Sequence, residues 1–431
     1  MSRLIHTSDP GFAASWRALL HDRSEAVEGA EEAAAAILAE VKAEGWEAVA
    51  RHTRQLDGVT LDAGTVRVSD ARIAAALAAC DPEVLAALEQ AAARIRDYHE
   101  RARPTDARWI DEQGITLGWR WTPVDAAGLY VPGGRAAYPS SVLMNAIPAK
   151  AAGVGRLVMV TPPGRLGDNP AILAAAHVAG VDEVYAIGGA QAIGALAFGA
   201  GPVRPVDVIV GPGNAWVAAA KRLVFGTVGI DSVAGPSEVH IIADGANDPR
   251  LIAADLLAQA EHDTVAQSIL FTDSAAFGQA VLAAVEQLIA EGLAGPAART
   301  SWDRFGAVIV LDRLADACAL IDEAAPEHLQ IATDDPDALA SRIRHAGAIF
   351  LGRWTPEALG DYVAGPNHVL PTGMRARWAS GLSTHMFMKR TTLMGTGRAG
   401  LAAIGPAAVA LADNEGLPAH AASVRLRLEQ L

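Results

Sequence analysis

The chain has 431 residues but only two cysteines, Cys80 and Cys318, and neither belongs to a CxxC pair. A disulfide framework, a thiolate zinc cluster and a CxxC redox motif are therefore excluded, and a reducing, cytoplasmic setting is expected. Aromatic residues are scarce at 5%, so large rings cannot dominate the packing. Alanine supplies much of the 51% hydrophobic content, which favours many helices laid on sheets. Positive charge is also in short supply. Against 49 Asp and Glu there are 35 Lys and Arg, the formal net charge is -14, and no long basic run occurs. Nucleic acid needs clustered cations to displace its counterions, so it is not an expected partner, whereas a cationic small molecule is mildly favoured. No apolar run approaches the roughly 20 residues that span a bilayer. The opening MSRLIHTSDPGFAASWRALLHDRSE is interrupted by charges and a proline, so neither export nor membrane insertion is expected.

Residues 1 to about 105 read as helices, with VLAALEQAAARIRDYHE bringing apolar residues round at helical spacing. WIDEQGITLGWRWT, at 109 to 122, has the β-formers and the glycine of a hairpin, and it leads into a strand ending at AGLYVPGG. The short apolar runs RLVMVTP, DEVYAIGG and VDVIVGPGN then alternate with helical patterns such as NPAILAAAHVAG and AQAIGALAFG. Such βα alternation predicts a parallel sheet with helices on its faces. A second series follows: a helix over 248 to 262, strand SILFTD, a helix from about 275, strand GAVIVLD, a helix to about 324, strand HLQIAT, another helix and strand GAIFLG. Two open α/β units of similar rhythm are expected. From about 381 the strand pattern disappears, and a small tail unit ending in the helical EGLPAHAASVRLRLEQL is expected.

YVPGG puts Tyr130, Gly133 and Gly134 at a turn between a strand and the helical SSVLMNAIPAKAAG. GGAQ at 188 to 191 and GPGN at 211 to 214 follow later strands at the corresponding end, where open α/β sheets collect ligands. A single turn of this kind is more often a tight connection than a site. Three together outline a crevice whose backbone N–H groups suit a nucleotide or another phosphorylated ligand. The dinucleotide fingerprint GxGxxG with a downstream acid is read as missing, so a phosphate-binding transferase stays open as a reading of the turns alone.

Asp248 and Pro249 give a good helix start, and Gln259 and His262, three apart on that helix, reach one point. Imidazole is a good zinc ligand and an amide an unusual one, so QxxH is a weak metal signal and an ordinary half-buried histidine is the commoner outcome. APEHL, at 325 to 329, sets Glu327 and His328 at the mouth of a strand after a proline stop. An acid beside a base suits proton transfer, and a solvated Glu with a capping His is about as common. GDYVAGPNHVLPT, at 360 to 372, gathers Asp361, Asn367 and His368 in a punctuated loop of the kind that carries function. Glu415 and His420 stand near the end of the chain, where helix-end charge is the plainer role. Spacing alone cannot assemble Gln259, His262, Asp361 and His420 into one site.

Taken together, GLYVPGGRAAYPSSVLMNAIPAKAAGV, GGAQAIGALAFG, VGPGNAWVAAAK, GIDSVAGPSEV, LLAQAEHD, APEHL, GDYVAGPNHVLPTG and EGLPAHAASVR resemble, in order, the histidinol dehydrogenase family. The resemblance runs from about residue 5 to the end. Ser232, Trp216 and STHMFMKRTTLMGTG at 383 to 397 depart from its pattern.

That resemblance implies two Rossmann-like open parallel-sheet units, aldehyde-dehydrogenase-like in arrangement, behind a helical N-terminal segment of residues 1–25. Residues 26–129 with 237–380 would form the zinc, substrate and catalytic unit and 130–236 the NAD unit. Residues 381–431 would form a tail reaching the partner of a homodimer. It further implies that Gln259, His262, Asp361 and, from the other subunit, His420 bind zinc. Ser237, His368 and Glu415 would contact substrate together with those ligands and His328, and Tyr130, Gln191 and Asn214 would contact NAD. Glu327 and His328 would be the catalytic pair in the four-electron oxidation of L-histidinol to L-histidine with two NAD. A zinc and NAD dehydrogenase of another small polar alcohol, such as a sulfonated diol, is the alternative.

Overall fold

In a computed structural model the chain is described over residues 3–21, 29–132, 138–165, 169–232 and 235–431. It opens with β1 (Arg3–His6) and α1 (Phe12–His21), followed by α2 (Ala30–Glu44), α3 (Trp46–Asp57), α4 (Asp70–Ala79) and α5 (Pro82–Arg101). The hairpin is β2 (Ala107–Ile110) and β3 (Thr116–Pro123). The first βα series is β4 (Ala126–Tyr130), α6 (Pro139–Ala152), β5 (Arg156–Thr161), α7 (Ala171–Ala179), β6 (Glu183–Ala186), α8 (Gly189–Phe198), β7 (Val208–Val210), α9 (Ala215–Val224) and β8 (Gly229–Ile230). The second begins with β9 (Glu238–Ala243), α10 (Pro249–Ala260), β10 (Gln267–Thr272), α11 (Ala275–Ala290), α12 (Ala298–Phe305) and β11 (Ala307–Val310). It continues through α13 (Ala317–Ala324), β12 (His328–Ala332), α14 (Pro336–Ala340), β13 (Ala348–Leu351) and α15 (Glu357–Tyr362). The tail holds β14 (Met388–Gly395), α16 (Arg398–Asn414) and α17 (Pro418–Leu428).

Both βα series form fully parallel sheets, in the orders β6-β5-β4-β7-β8 and β1-β11-β10-β9-β12-β13. Their central strands β4, β9, β10 and β12 are buried along their whole length, as expected of strands covered on both faces. In each sheet the strand order reverses once, between β4 and β7 in the smaller and between β9 and β12 in the larger. Those reversals open the crevices in which doubly wound folds bind ligands. The expected class, two Rossmann-like open sheets, is what the chain forms.

Several features differ from the sequence expectations, among them β9, a central strand of the larger sheet where no strand was expected. The tail is not strandless: β14 pairs antiparallel with β3 over its whole length and completes a three-stranded sheet with β2. Its side chains are mostly exposed, so it lacks the apolar alternation by which strands are recognised. The N-terminal segment, beyond residues 1, 2 and 22–25, which lie outside the described residues, contributes strand β1 to the edge of the larger sheet as well as helix α1. Helices α2, α3 and α5, grouped by sequence with the larger sheet, pack on the smaller one. Leu38, Val41 and Val49 cover one face and Ala91, Ala92 and Ile95 the other. Helical periodicity shows that a face is buried without showing which sheet buries it. No helix among the described residues is long and apolar enough to cross a membrane.

Candidate functional site

Helix α13 ends at Ala324, and Ala325 then takes a left-handed conformation, φ 45°, although it carries a Cβ. A fully buried non-glycine residue in that region costs of the order of 1–3 kcal/mol, and such strain collects at functional turns. The turn delivers Pro326 and then Glu327 and His328 to the start of β12, beside the start of β9. The pair therefore lies at the amino ends of the strands flanking the strand-order reversal, opposite to the carboxyl edge where such folds usually bind ligands.

Glu238, the first residue of β9, holds both members of the pair through its backbone. Its N–H donates to Glu327 Oε2 at 3.0 Å, and its carbonyl accepts from His328 Nδ1 at 3.2 Å. Its own carboxylate accepts from the Gly373 N–H at 2.8 Å and so ties down the 360–373 segment. Ser237 adds a side-chain hydrogen bond to Glu327. With its proton on Nδ1, His328 presents an unprotonated Nε2, which is buried without a hydrogen-bond partner and lies 3.8 Å from Asp361 Oδ1. Burial pushes the imidazole down to about 4, so it is neutral near pH 7 with Nε2 free of a proton. Burial, reinforced by the nearby Glu238 and Asp361 carboxylates, holds Glu327 well above the usual carboxylate range.

Asp361 lies in the last turn of α15, not in the loop that follows, and its Oδ2 is 3.9 Å from His262 Nε2. His262 itself sits just past the end of α10, its N–H turned back onto the Gln259 carbonyl at 3.2 Å. Gln259 is wholly buried, and neither its Oε1 nor its Nε2 has a hydrogen-bond partner. His368 Nδ1 reaches the Asp361 carbonyl at 2.9 Å, and its Nε2 faces Ser141 Oγ on α6 at 3.5 Å. Thus Ser237, His262, Glu327, His328, Asp361 and His368 form one connected cluster. Glu415 and His420 do not join it within this chain: both are exposed, and α17 packs chiefly on α16.

Sequence reading missed Glu357 and Glu238. Glu357 opens α15, is 2% exposed, and places Oε1 3.3 Å from His328 Nδ1. Its position one helical turn before Asp361 was the available signal, since residues four apart share a helix face. His328, Glu357 and Asp361 offer potential metal-ligand atoms within 4.8 Å of one another.

On the smaller sheet Tyr130 ends β4, and its hydroxyl accepts from the Gly189 N–H at 3.2 Å. Gln191 is buried, its Nε2 facing Thr53 Oγ1 at 3.5 Å and its Oε1 lacking a partner. Asn214 caps α9 by accepting from Val217 N–H at 3.1 Å. Gly211 lies so close to Tyr130 that an added Cβ would fall 2.2 Å from its carbonyl oxygen. Buried Lys221 donates to the Gly211 carbonyl and pairs with Asp231, which accepts the Gly211 N–H. The turn at Gly133 and Gly134 lies outside the described residues. A literal GxGxxG does occur at Gly395–Gly400, correcting the sequence reading. It joins an antiparallel strand to α16, so it lacks the parallel βαβ setting that gives the fingerprint its meaning.

The chain is similar to known proteins over nearly its whole length. A model of the family described as histidinol dehydrogenase matches residues 20–428. The chain is 56% identical to the histidinol dehydrogenase of Rhodospirillum rubrum over 429 residues, covering 99% of this chain and 98% of that one. It is 56% identical to that of Caulobacter vibrioides over 425 residues, 98% of each. The solved structure of histidinol dehydrogenase from Elizabethkingia anophelis matches with a TM-score of 0.93 at 34% identity, covering 100% of this chain and 98% of that one. The chain therefore belongs to the histidinol dehydrogenase family.

Proposed function

We propose that the protein oxidises L-histidinol to L-histidine through the aldehyde, using zinc and two molecules of NAD. The observation that carries this reading is the convergence of Glu327 and His328, held by one backbone unit, on Asp361 and His262. The substrate is an amino alcohol with an ammonium group, and the acidic surroundings of Glu238, Glu327, Glu357 and Asp361 favour a cation. The same charge opposes a sulfonated diol.

The donor set fits zinc: His262 and Asp361 approach each other, and the buried, unpartnered Gln259 amide needs an acceptor of its lone pair or an equivalent partner. In this reading Gln259, His262 and Asp361 hold the ion, and His420 arrives from a second copy of the chain. When bound, zinc supplies a template for the substrate's nitrogens, and NAD supplies the hydride acceptor. His328 Nε2 takes the hydroxyl proton, which its neutral, unpaired state permits. Glu327, a stronger base when ionised because burial raises its pKa, takes a proton from the water that adds to the aldehyde. His328 then removes the second hydroxyl proton. Ser237, His368 and the second copy's Glu415 position the substrate, while Tyr130, Gln191 and Asn214 line the nucleotide crevice.

A homodimer with shared sites is part of the proposal. The sheet of β2, β3 and β14 leaves Trp109, Ile110 and Met394 exposed, and the tail helices expose Leu411, Leu417 and Leu426, an apolar surface that a second copy would cover. The free, buried Cys80 and Cys318 accord with a cytoplasmic location. The test is NADH formation by purified protein on adding L-histidinol and NAD, with and without a chelator. Turnover that chelation abolishes and zinc restores supports the reading; a folded, zinc-loaded protein inert to histidinol overturns it.

A further inference from the structure

Glu357 has no place in the reaction just described, yet it is buried beside the base. It is 2% exposed, its Oε1 is 3.3 Å from His328 Nδ1, and its Oε2 has no hydrogen-bond partner. The charged groups that act on it are carboxylates, Asp361, Glu327 and Asp255, and the group its Oε1 faces is the neutral His328 imidazole. An uncompensated buried carboxyl costs several kcal/mol, whereas an apolar residue of equal length would cost little there.

The surroundings of His328 give that cost a purpose. Nδ1 is hydrogen-bonded to the Glu238 carbonyl at 3.2 Å, and Glu357 Oε1 lies 3.3 Å from the same nitrogen, the two oxygens approaching from β9 and α15 respectively. One acceptor leaves an imidazole free to swing about a single hydrogen bond, while two on different elements fix its plane as well as its proton. The opposite nitrogen, Nε2, then points toward Asp361. Phe350, whose ring centroid is 6.0 Å from that of His328, stands beside the imidazole. Glu357 and Asp361 also sit four residues apart on one short helix, so the element that orients the base also carries the group facing its free nitrogen.

We propose that Glu357 is a positioning residue for His328: with the Glu238 carbonyl it holds Nδ1–H and so aims Nε2 at the substrate. This rests on reading His328 as the general base. A base misplaced by about 1 Å loses on the order of 100-fold in rate, while substrate binding through other contacts is little affected.

Two isosteric variants test it. Glu357→Gln keeps an acceptor for Nδ1–H, and Glu357→Met keeps the length but removes the acceptor. Both are compared with wild type for zinc per subunit, kcat and KM for histidinol, and the proton resonance of the His328 Nδ1–H in ¹⁵N-histidine-labelled protein, identified by its absence from His328→Gln. The account predicts full zinc content in both variants and a KM within about 3-fold of wild type. It also predicts a kcat about 100-fold lower in the Met variant, with the Gln variant recovering most of that loss. The Nδ1–H resonance persists in wild type and Gln and is broadened by exchange in Met. Equal kcat in Gln and Met, or an unchanged resonance in Met, overturns the role. Loss of zinc from either variant overturns it too, by making Glu357 a metal ligand with His328 and Asp361. The resonance needs no turnover, so a wild-type protein inert to histidinol would refute the reaction while leaving the Glu357–His328 contact separately measured.

Discussion

The Glu238 N–H donates to Glu327 Oε2 at 3.0 Å, because β9 and β12 are parallel neighbours in a register that pairs Val239 with His328 and so sets Glu238 beside Glu327. The acid is thus oriented by a backbone group that no side-chain substitution removes. Glu327→Gln should keep that contact through its amide oxygen and lose only the capacity to accept a proton from water. The expected outcome is a larger fall in the rate with L-histidinal than in the first oxidation of L-histidinol, each measured separately. Equal slowing of both steps would remove the water-activating role.

The nucleotide turn depends on a buried ion pair. Lys221 and Asp231, each side chain about 4% exposed, bind both backbone polar groups of Gly211. Lys221→Met would leave Asp231 buried and unpaired, and the expected loss is about 3–5 kcal/mol of stability, read from denaturant midpoints. At temperatures where the variant stays folded, KM for NAD should rise while KM for histidinol does not. A uniform change in both would detach the ion pair from the nucleotide crevice.

Stability should fall on mild acidification partly through His99. It is fully buried on α5, neither ring nitrogen has a hydrogen-bond partner, and burial pushes it down from 6.5 to about 4. The unfolded chain therefore binds a proton that the folded chain refuses. The contribution is fully present above about pH 6.5 and is lost as the pH falls toward 4, by roughly 3 kcal/mol over that window. Unfolding free energies of His99→Leu and wild type, compared at pH 7 and pH 4.5, should show a shallower pH dependence in the variant. Parallel curves would assign the acid sensitivity to other groups.

Shared sites make a prediction that intact single-chain sites do not. His328→Ala and His420→Ala homodimers should both be nearly inactive. A hybrid dimer would retain one site with His328 from one chain and His420 from the other, so random reassociation should recover about a quarter of wild-type activity. No recovery from a mixture shown to contain hybrids would place His420 in its own chain's site or outside any site.

Strands such as RLVMVTP and HLQIAT were legible because burial on both faces demands an unbroken apolar run, and β4 through β7 and β10 through β13 fell where those runs lie. β14 was not, since a strand with exposed side chains carries no such signature. Glu327, His328 and Asp361 stood out as titratable residues in punctuated segments. Glu357 did not, because an acid at a helix start ordinarily faces water, and only tertiary packing buried it against His328. Glu238 escaped notice for another reason: much of its contribution comes from its backbone, whose hydrogen bonds depend on strand register rather than residue type.

The central claim is a four-electron oxidation at one site, and its most direct test is the ratio of NADH formed to L-histidinol consumed by zinc-loaded protein under limiting substrate. The account predicts a ratio of about two with L-histidine as product, and about one when L-histidinal is supplied instead. A ratio near one with histidinol, and aldehyde accumulating in solution, would contradict it and leave His328 as the base of an alcohol oxidation alone.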